Sequence, residues 1–568
     1  MRILLLVHAF NSLSQRLYVE LIQDGHELSV ELDIHERVTG EAVRLWRPDL
    51  VLAPFLKRAI PRCIWERNLC LIVHPGPPGD RGPSALDWAI LEGASRWGVS
   101  VLQAEGELDA GPVWGSAEFA MRSARKSSLY RNEVTEGAVS AVRAALARIA
   151  AGQGPPRDAV CAARGWRPLM RQSERAIDWA RDDTATVLRK IHSADGFPGV
   201  EDQLFGRPFR LFDARAEPSL HGEPGSVIAR RHEAIGRATI DGAVWIGQLQ
   251  PAAAPSRTFK RPAALALGGL ADSLPRCCED SGQAGGARPA AAAFDELAYE
   301  ERGAVGYLHF DFYNGALSTA QCQRLRAAYA AALRRPTRII VLMGGEDFWC
   351  NGMHLHCIEA ADSAADASWA NINVIDDLAA DILHTGTHLT IAALRGNAAA
   401  GGVFLALAAD MVLARTGIVL NPHYRNMGNL FGSEFWTYLL PRRVGEAHAR
   451  ALMERRVPIG VPEAHSIGLI DEHAGPAAAE FRALVDTRAG TAALSDGFGV
   501  ALERKRALRA ADEERRPLAD YRAAELERMR LNFYGFDPSY HIARHRFVHR
   551  TPNAWTPLHL ARHRAAPS

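Results

Sequence analysis

The sequence has few cysteines, no excess of charge of either sign and no long apolar run, and each absence excludes a class of protein. Its 8 cysteines among 568 residues form no Cys-x-x-Cys pair, so reduced thiols are expected rather than a disulfide framework. The 66 basic and 65 acidic residues give a net charge of +1, which disfavours a protein that coats nucleic acid. No apolar stretch approaches the roughly 18 residues of a membrane span.

The apolar run at residues 3–7 is too short for a signal peptide, so the cytoplasm is the expected location. Hydrophobic residues make up 48% of the chain and charged residues 23%, a mixture typical of globular proteins with large cores. At roughly 150 residues per domain, this length predicts about three or four domains.

The N-terminal part alternates short apolar runs with helical patterns. Strands are expected at residues 3–7, 28–32, 50–53 and 69–73, and this alternation predicts a Rossmann-like α/β domain over residues 1–160 with a parallel sheet. Ligands of such sheets bind at the carboxyl ends of the strands.

The pattern and composition of the sequence then change twice. Residues 170–255 contain short strands separated by turn signals, which favours a small β-barrel-like domain. Residues 256–293 are rich in Ala, Pro, Gly and Ser and are typical of a linker. A second α/β pattern begins at residue 294, and helices dominate from about residue 440 towards residue 568, so one C-terminal domain with a helical tail is expected.

One cluster of chemically capable residues follows the strand at 69–73. The segment CLIVHPGPPGDRG places His74 at the strand end, and ELDAGPVW later places Asp109 before a Gly-Pro turn. A His and an Asp at one sheet edge can act together in proton transfer. Alternatively, His74 is structural and Asp109 simply initiates its turn.

This pattern resembles that of the folate-dependent formyltransferases, which reads roughly N-x-H-P followed later by L-D-x-G. The resemblance covers about residues 1–250, including the small barrel. It implies that His74 and Asp109 are catalytic and that N10-formyltetrahydrofolate is the formyl donor. The family's catalytic Asn corresponds to Ile72 here, which cannot donate a hydrogen bond to an oxyanion.

A second cluster consists of two glycine-containing turns, FWCNGMHL at residues 348–355 and RGNAAAGG at residues 395–402. Each turn opens a helix after a strand and leaves backbone N–H groups that can form an oxyanion hole for a thioester carbonyl. The alternative is that the glycines only allow tight packing.

These turns and the later ADMVLA resemble the crotonase (enoyl-CoA hydratase/isomerase) superfamily over about residues 300–475. The resemblance implies an oxyanion hole at Met353 and Gly401, with Gly352 and Gly402 beside it at the coenzyme A site. The two catalytic Glu positions of true hydratases hold Phe404 and His423 instead. Without that carboxylate pair, water addition in the usual way is excluded.

Two nearby residues, Tyr424 and Glu434, are the candidates for acid–base catalysis in this second half. They lie in the region that borders the acyl pocket in crotonase folds. The alternative is a satisfied buried Tyr and a solvated Glu at a helix start.

Taken together, the two halves resemble the HypX/HoxX family of hydrogenase maturation factors. The segments that carry this resemblance are FNSLSQRLYVEL, HPGPPGDRG and FYGFDPSYHIARHRFVH, at residues 10–21, 74–82 and 533–549. It implies transfer of the formyl group of N10-formyltetrahydrofolate to coenzyme A, followed by release of carbon monoxide from formyl-CoA for the [NiFe] hydrogenase site. Folate, coenzyme A and [NiFe] hydrogenase maturation proteins are the implied partners. Two alternatives stay open: a formyl-CoA or formyltransferase enzyme that releases no carbon monoxide, and a non-catalytic scaffold.

Two further groups of residues have a chemical interpretation. Gln15 and Arg16 follow the first strand and are candidates for coenzyme A binding, although Arg16 could equally be a solvent-exposed helix residue. His541, His545 and His549 would share one helix face. The arginines interleaved with them favour packing or phosphate contacts, so no metal is expected.

Overall fold

A computed structural model describes residues 1–156, 165–253, 258–277 and 294–565. The chain divides into a first unit, Met1–Cys277 with Pro552–Ser568, and a second unit, Cys278–Thr551. Both units mix helices and strands, which confirms the predicted fold class. No described helix combines the length and apolar character that crossing a bilayer requires.

The first unit begins with a six-stranded sheet of order β2-β1-β3-β4-β6-β7. Its strands are β1 Arg2–Val7, β2 Glu27–Leu32, β3 Leu50–Phe55, β4 Cys70–His74, β6 Arg96–Gln103 and β7 Val113–Ala120, and the short β5 is Asp80–Arg81. The first four pair in parallel, as expected, because their apolar runs are buried between helices. Strands β6 and β7 join antiparallel, so the sheet is mixed.

Within the described residues, α-helices accompany this sheet. They are α1 Ser12–Gln23, α2 Glu36–Trp46, α3 Arg62–Trp65, α4 Ala85–Leu91, α5 Lys126–Leu129 and α6 Thr135–Ala150. Helix α1 starts where the Asn11 side chain accepts a hydrogen bond from the Ser14 N–H, an N-cap that satisfies one of the free backbone donors.

A second, antiparallel sheet of the first unit has the order β11-β12-β13-β10-β9, with β14 beside β13. After β8 Gly165–Trp166 and α7 Thr184–Ala194, its strands are β9 Val200–Leu204, β10 Arg207–Glu217, β11 Val227–Arg231, β12 Ala234–Ala238, β13 Ala243–Pro251 and β14 Arg261–Pro262.

Part of the expected linker belongs to this small domain. Helices α8 Ala263–Leu267 and α9 Gly269–Asp272 follow β14, and Ala263, Leu267 and Leu274 are buried in the same core as β10 and β13. The predicted linker over 256–293 is therefore wrong for residues 258–277, because the alanines that suggested flexibility here form an apolar helix face. Residues 278–293 lie outside the described part of the chain.

The expected C-terminal domain of 294–568 is also wrong at its end, because residues 552–565 belong to the first unit. There the Thr556 hydroxyl donates to Glu31 at 2.7 Å, and His563 and Arg564 lie 2.9 and 3.0 Å from the same carboxylate. The Val30 N–H on β2 donates to the Leu560 carbonyl. Since β2 is the edge strand and Glu31 is fully buried, the tail covers an open edge and pairs a buried charge.

The second unit contains a six-stranded sheet, β15-β16-β17-β19-β21-β24, and a four-stranded one, β18-β20-β22-β23. The strands are β15 Leu297–Arg302, β16 Val305–Phe310, β17 Ile339–Met343, β18 Phe348–Cys350, β19 Leu389–Leu394, β20 Asn397–Ala399, β21 Met411–Arg415, β22 Val419–Asn421, β23 Ile459–Gly460 and β24 Glu472–Ala474. Apart from β15 and β23, the strands of both sheets pair in parallel.

The helices of the second unit fall into those between the strands and those of the tail. The former are α10 Thr319–Ala332, α11 Leu355–Glu359, α12 Ala364–Leu383, α13 Gly401–Leu407, α14 Trp436–Val444, α15 Glu446–Arg455 and α16 Val461–Ser466; the latter are α17 Ala478–Leu494, α18 Phe498–Arg515, α19 Leu518–Tyr534 and α20 Ser539–Val548. Met529 and Phe533 of α19 and Tyr540 of α20 are buried in the main core, so the tail is an integral part of this unit.

Candidate active sites

The site in the first unit is built around His74, the last residue of β4. Its side chain is buried, with Nε2 2.9 Å from Asp80 Oδ2 and Nδ1 3.7 Å from Asp109 Oδ2. The structure therefore brings the predicted pair His74 and Asp109 together. It also places a second carboxylate on the opposite side of the imidazole.

Asp109 is held by the loop that follows β5. Its backbone is left-handed, with φ 55°, and its carboxylate accepts a hydrogen bond from the Gly82 N–H at 3.1 Å. A non-glycine residue in this region costs free energy, and such strain is found at sites where the side chain must point in one direction.

Asp80 was missed by the sequence analysis. It follows His74 by six residues, and the Gly-Pro loop between them folds back so that its buried carboxylate meets the ring. A Cβ on Gly76 would lie 2.4 Å from Asp80 Oδ2 and 2.6 Å from His74 Nε2, so only glycine fits against this pair. The signal was present in the sequence as an acidic residue inside the HPGPPGDRG loop.

The remaining predicted residues of this half have different surroundings. Ile72 lies two residues before His74 and so faces the same side of β4. Gln15 donates to the Phe10 carbonyl at 2.9 Å. Arg16 is buried and pairs with Glu20 and Glu136 at 2.5 and 2.9 Å, so it is not a solvent-exposed helix residue, and its guanidinium is already engaged by carboxylates. We therefore retain Gln15 and not Arg16 as a coenzyme candidate.

In the second unit, the two predicted oxyanion-hole segments lie side by side. A Cβ on Gly352, which has φ 75°, would lie 3.4 Å from Gly401 N and 3.9 Å from Gly402 N. The residues flanking Met353 bond to Leu317, through the Gly352 carbonyl and the His354 N–H. Within the described structure neither the Met353 nor the Gly401 N–H has a hydrogen-bond acceptor. Both donors are thus available to a carbonyl oxygen.

Glu434 lies directly against this backbone. A Cβ on Gly401 would be 2.1 Å from Glu434 Oε1 and 2.5 Å from its Cδ. The Glu434 side chain is buried and not a solvated residue at a helix start, so that alternative is excluded. Glu434 and Phe435 both have a left-handed backbone, with φ 58° and 59°, which turns the carboxyl group inwards at a cost in free energy.

Tyr424 completes the pair. Its hydroxyl lies 2.5 Å from Glu434 Oε2 and 2.9 Å from the Ser433 carbonyl. Its ring stacks on Phe404, with centroids 5.2 Å apart. Phe404, the position of one hydratase carboxylate, thus supports the aromatic residue that contacts Glu434.

Two buried carboxylates that sequence reasoning missed fix the backbone around Glu434. Asp376 of α12 accepts from the Glu434 N–H at 2.8 Å and the Ser433 hydroxyl at 2.7 Å. Glu525 of α19 accepts from the N–H groups of Phe435 and Thr437 at 2.9 and 2.8 Å. They are 58 and 91 residues away from Glu434 along the chain, and no local motif connects them.

Burial raises the pKa of all three acids, so each holds its proton more tightly than a solvent-exposed carboxyl group. Burial, reinforced by the charge of Asp376, raises the pKa of Glu434 to about 8, although the hydrogen bond from Tyr424 opposes this shift. Burial also raises the pKa of Asp376 to about 6 and that of Glu525 to about 8. Near neutral pH Glu434 therefore carries its proton and can act as a general acid.

Two protein families match parts of the chain. Enoyl-CoA hydratase/isomerase matches residues 303–487, and the formyl transferase C-terminal domain matches residues 169–261. These matches confirm a crotonase fold in the second unit and a formyltransferase C-terminal domain in the first.

Similarity to complete proteins covers both halves together. Hydrogenase maturation factor HoxX of Bradyrhizobium diazoefficiens is 55% identical over 99% of this chain and 97% of its own length. The crystal structure of HypX from Aquifex aeolicus in complex with tetrahydrofolic acid is 48% identical, with a TM-score of 0.96 over 100% of this chain and 99% of that one. Methionyl-tRNA formyltransferase of Citrifermentans bemidjiense is 23% identical over 41% of this chain and 74% of its own length.

Proposed function

The chain belongs to the HypX/HoxX family of hydrogenase maturation factors, and on this basis we propose that it converts a folate-bound formyl group into carbon monoxide in two steps. N10-formyltetrahydrofolate gives its formyl group to the thiol of coenzyme A, and formyl-CoA is then cleaved to carbon monoxide and coenzyme A. The product serves assembly of the [NiFe] hydrogenase active site in the cytoplasm, with other maturation proteins as recipients.

The first step takes place at His74. His74 accepts the thiol proton, the thiolate attacks the formyl carbon, and the carbon–N10 bond breaks as a carbon–sulfur bond forms. His74 then returns the proton to N10. Asp80 and Asp109, on the two sides of the ring, orient the imidazole and share the positive charge that it gains.

A thiol acceptor fits the presence of Ile72 in this site. A thiolate is a stronger nucleophile than a neutral amine. Less stabilisation of the developing oxyanion is therefore required, and the amide donor that Ile72 replaces can be dispensed with. Gln15, near the start of α1, is the residue we assign to coenzyme A in this unit. The tetrahydrofolate bound by the HypX of Aquifex aeolicus supports folate as the donor.

The second step takes place between the oxyanion hole and Glu434. The N–H groups of Met353 and Gly401 polarise the formyl carbonyl, while the backbone at Gly352 and Gly402 borders the bound thioester. Glu434 gives its proton to sulfur as the carbon–sulfur bond breaks, and its carboxylate then removes the formyl proton. The sulfur keeps the carbon–sulfur electron pair and carbon keeps the carbon–hydrogen pair, so no external oxidant or reductant is needed.

One observation carries this proposal: the buried carboxyl group of Glu434, whose pKa burial raises, lies against Gly401 of the oxyanion-hole backbone. The Tyr424 hydroxyl contacts this carboxyl group, and the Tyr424 ring stacks on Phe404. Such a site can give and take a proton while excluding hydrolysis of the thioester.

Carbon monoxide production by the full-length protein tests the proposal. We expect purified protein with N10-formyltetrahydrofolate and coenzyme A to generate carbon monoxide, detected by haemoglobin absorbance, and to generate none when either substrate is omitted. Formyl-CoA supplied directly should yield carbon monoxide without folate. Formate instead of carbon monoxide would identify a formyl-CoA hydrolase, and the absence of any turnover would favour a scaffold.

A further inference from the structure

Two histidines of the tail helix α20 and a glutamate of α11 form a cluster that contains none of the residues assigned to catalysis. Nδ1 of His545 is 2.8 Å from Glu359 Oε1, and Nε2 of His549 is 3.3 Å from the same oxygen. The two imidazole centroids are 4.1 Å apart. Three potential ligand atoms, one from each residue, thus lie within 4.8 Å of one another.

Helix geometry explains why these atoms converge. His545 and His549 are four residues apart, so they share one face at the end of α20. That face packs against α11, whose last residue is Glu359. His541, the third member of the series, bonds through Nε2 to the Phe533 carbonyl instead and is not part of the cluster.

The carboxylate of Glu359 is held in place by an arginine. Arg544 Nε lies 2.7 Å from Glu359 Oε2, the oxygen that the histidines do not use. Oε1 remains directed at the two imidazoles, as a ligand oriented by an outer partner is.

The cluster is also accessible. The His545 side chain is 58% exposed, whereas Glu359 and His549 are 11% and 17% exposed. An ion can therefore enter from solvent, and water can complete its coordination. We propose that Glu359, His545 and His549 form a binding site for a divalent transition ion of the Zn²⁺ or Ni²⁺ class, which two neutral imidazoles and one carboxylate suit. This site is independent of the proposed catalytic steps and joins the tail helix to α11.

Cobalt binding by metal-free full-length protein tests the site, because Co²⁺ bound by nitrogen and oxygen ligands absorbs visible light. We expect saturable binding of one Co²⁺ per chain, displaced by Zn²⁺. His545→Ala and His549→Ala should each weaken binding about tenfold or more. His545→Ala truncates an exposed side chain and should leave folding intact, whereas Glu359→Gln would also remove the ion pair of Arg544.

The matched control is His465→Ala, which removes an exposed histidine whose ring contacts His473. We expect it to leave Co²⁺ affinity unchanged. The proposal is overturned if no one-per-chain binding is seen at micromolar Co²⁺, if binding survives both His545→Ala and His549→Ala, or if His465→Ala abolishes it. None of these binding measurements depends on carbon monoxide production, so the metal site and the proposed function are tested separately.

Discussion

The two candidate sites of this chain use carboxylates in opposite ways. At the first, Asp80 and Asp109 flank His74 and can compensate a positive charge on it. At the second, Asp376 and Glu525 bind the backbone around another carboxyl group, that of Glu434, and burial raises the pKa of that group. One environment suits a base that removes a thiol proton, and the other suits an acid that returns a proton to sulfur.

The difference follows from what each carboxylate contacts. Asp80 and Asp109 meet an imidazole that can become a cation, whereas Asp376 and Glu525 mainly accept from backbone N–H groups of residues 434–437. The second pair therefore fixes the shape of a strained turn and adds negative charge beside Glu434. We expect substitutions at the two sites to affect different steps and different parts of the pH profile.

The largest expected effect separates the two steps at Glu434. Glu434→Gln keeps the size of the side chain but removes the exchangeable carboxyl proton, so carbon monoxide release from formyl-CoA should fall about 100-fold or more. Formation of formyl-CoA from folate should be unchanged. Haemoglobin absorbance measures the first and chromatography of thioesters the second. Unchanged carbon monoxide release would exclude Glu434 as the proton donor, and the exposed control Glu446→Gln should behave like the unsubstituted protein.

The corresponding substitution for the first step is at His74. His74→Asn removes the base, so formyl-CoA formation should fall about 100-fold or more, while carbon monoxide release from supplied formyl-CoA stays at its original rate. His221→Ala, at an exposed histidine in the same unit, is the control for this variant. Equal loss of both steps would contradict the assignment of separate sites.

A smaller effect is expected at Asp80. Asp80→Asn leaves an amide beside Nε2 that cannot compensate the charge of a protonated ring, so kcat for formyl-CoA formation should fall about tenfold or more, with KM for the folate little changed. The exposed Asp272→Asn should have no effect. If KM rose while kcat stayed constant, Asp80 would act in folate binding rather than in positioning His74.

The smallest effect concerns the pH profile of carbon monoxide release. Burial and, after it, the charge of Asp376 raise the pKa of Glu434, so Asp376→Asn should lower that pKa and move the alkaline fall in activity to lower pH, by about half a unit or more. Its neighbour Asp377, half-exposed and paired with Arg326 and Arg522, provides the control Asp377→Asn. If carbon monoxide release fell at every pH while the pH profile did not shift, Asp376 would have a structural role only.

The sequence predicted best what lies in one segment of chain. The end of an apolar run predicted the position of His74, and the two glycine-containing turns predicted those of Met353 and Gly401. The apolar runs themselves predicted the N-terminal strands. In each case, neighbouring residues are enough to determine the local geometry, because strand periodicity and glycine turns act over a few positions.

What could not be predicted depends on contacts between distant segments. Asp376 and Glu525 come from two long helices, and only the packing of α12 and α19 brings them to one turn. The sequence around Arg16 has the pattern of a surface helix, but in the structure Arg16 is buried and pairs with Glu136 of α6. The alanine-rich stretch after residue 258 had the composition of a linker, yet it matches an apolar surface on the antiparallel sheet.

The tail that pairs with Glu31 has a consequence for biosynthesis. The chain leaves the first unit at Cys277 and returns to it at Pro552, so a ribosome must make the whole second unit before the edge of β2 is covered. At typical rates of about 5–20 residues per second, synthesis of the second unit takes roughly 15–60 seconds, and the edge of β2 and Glu31 stay uncovered throughout that time. During this interval, a chaperone that covers the open edge of the sheet would keep the nascent protein from pairing with other chains.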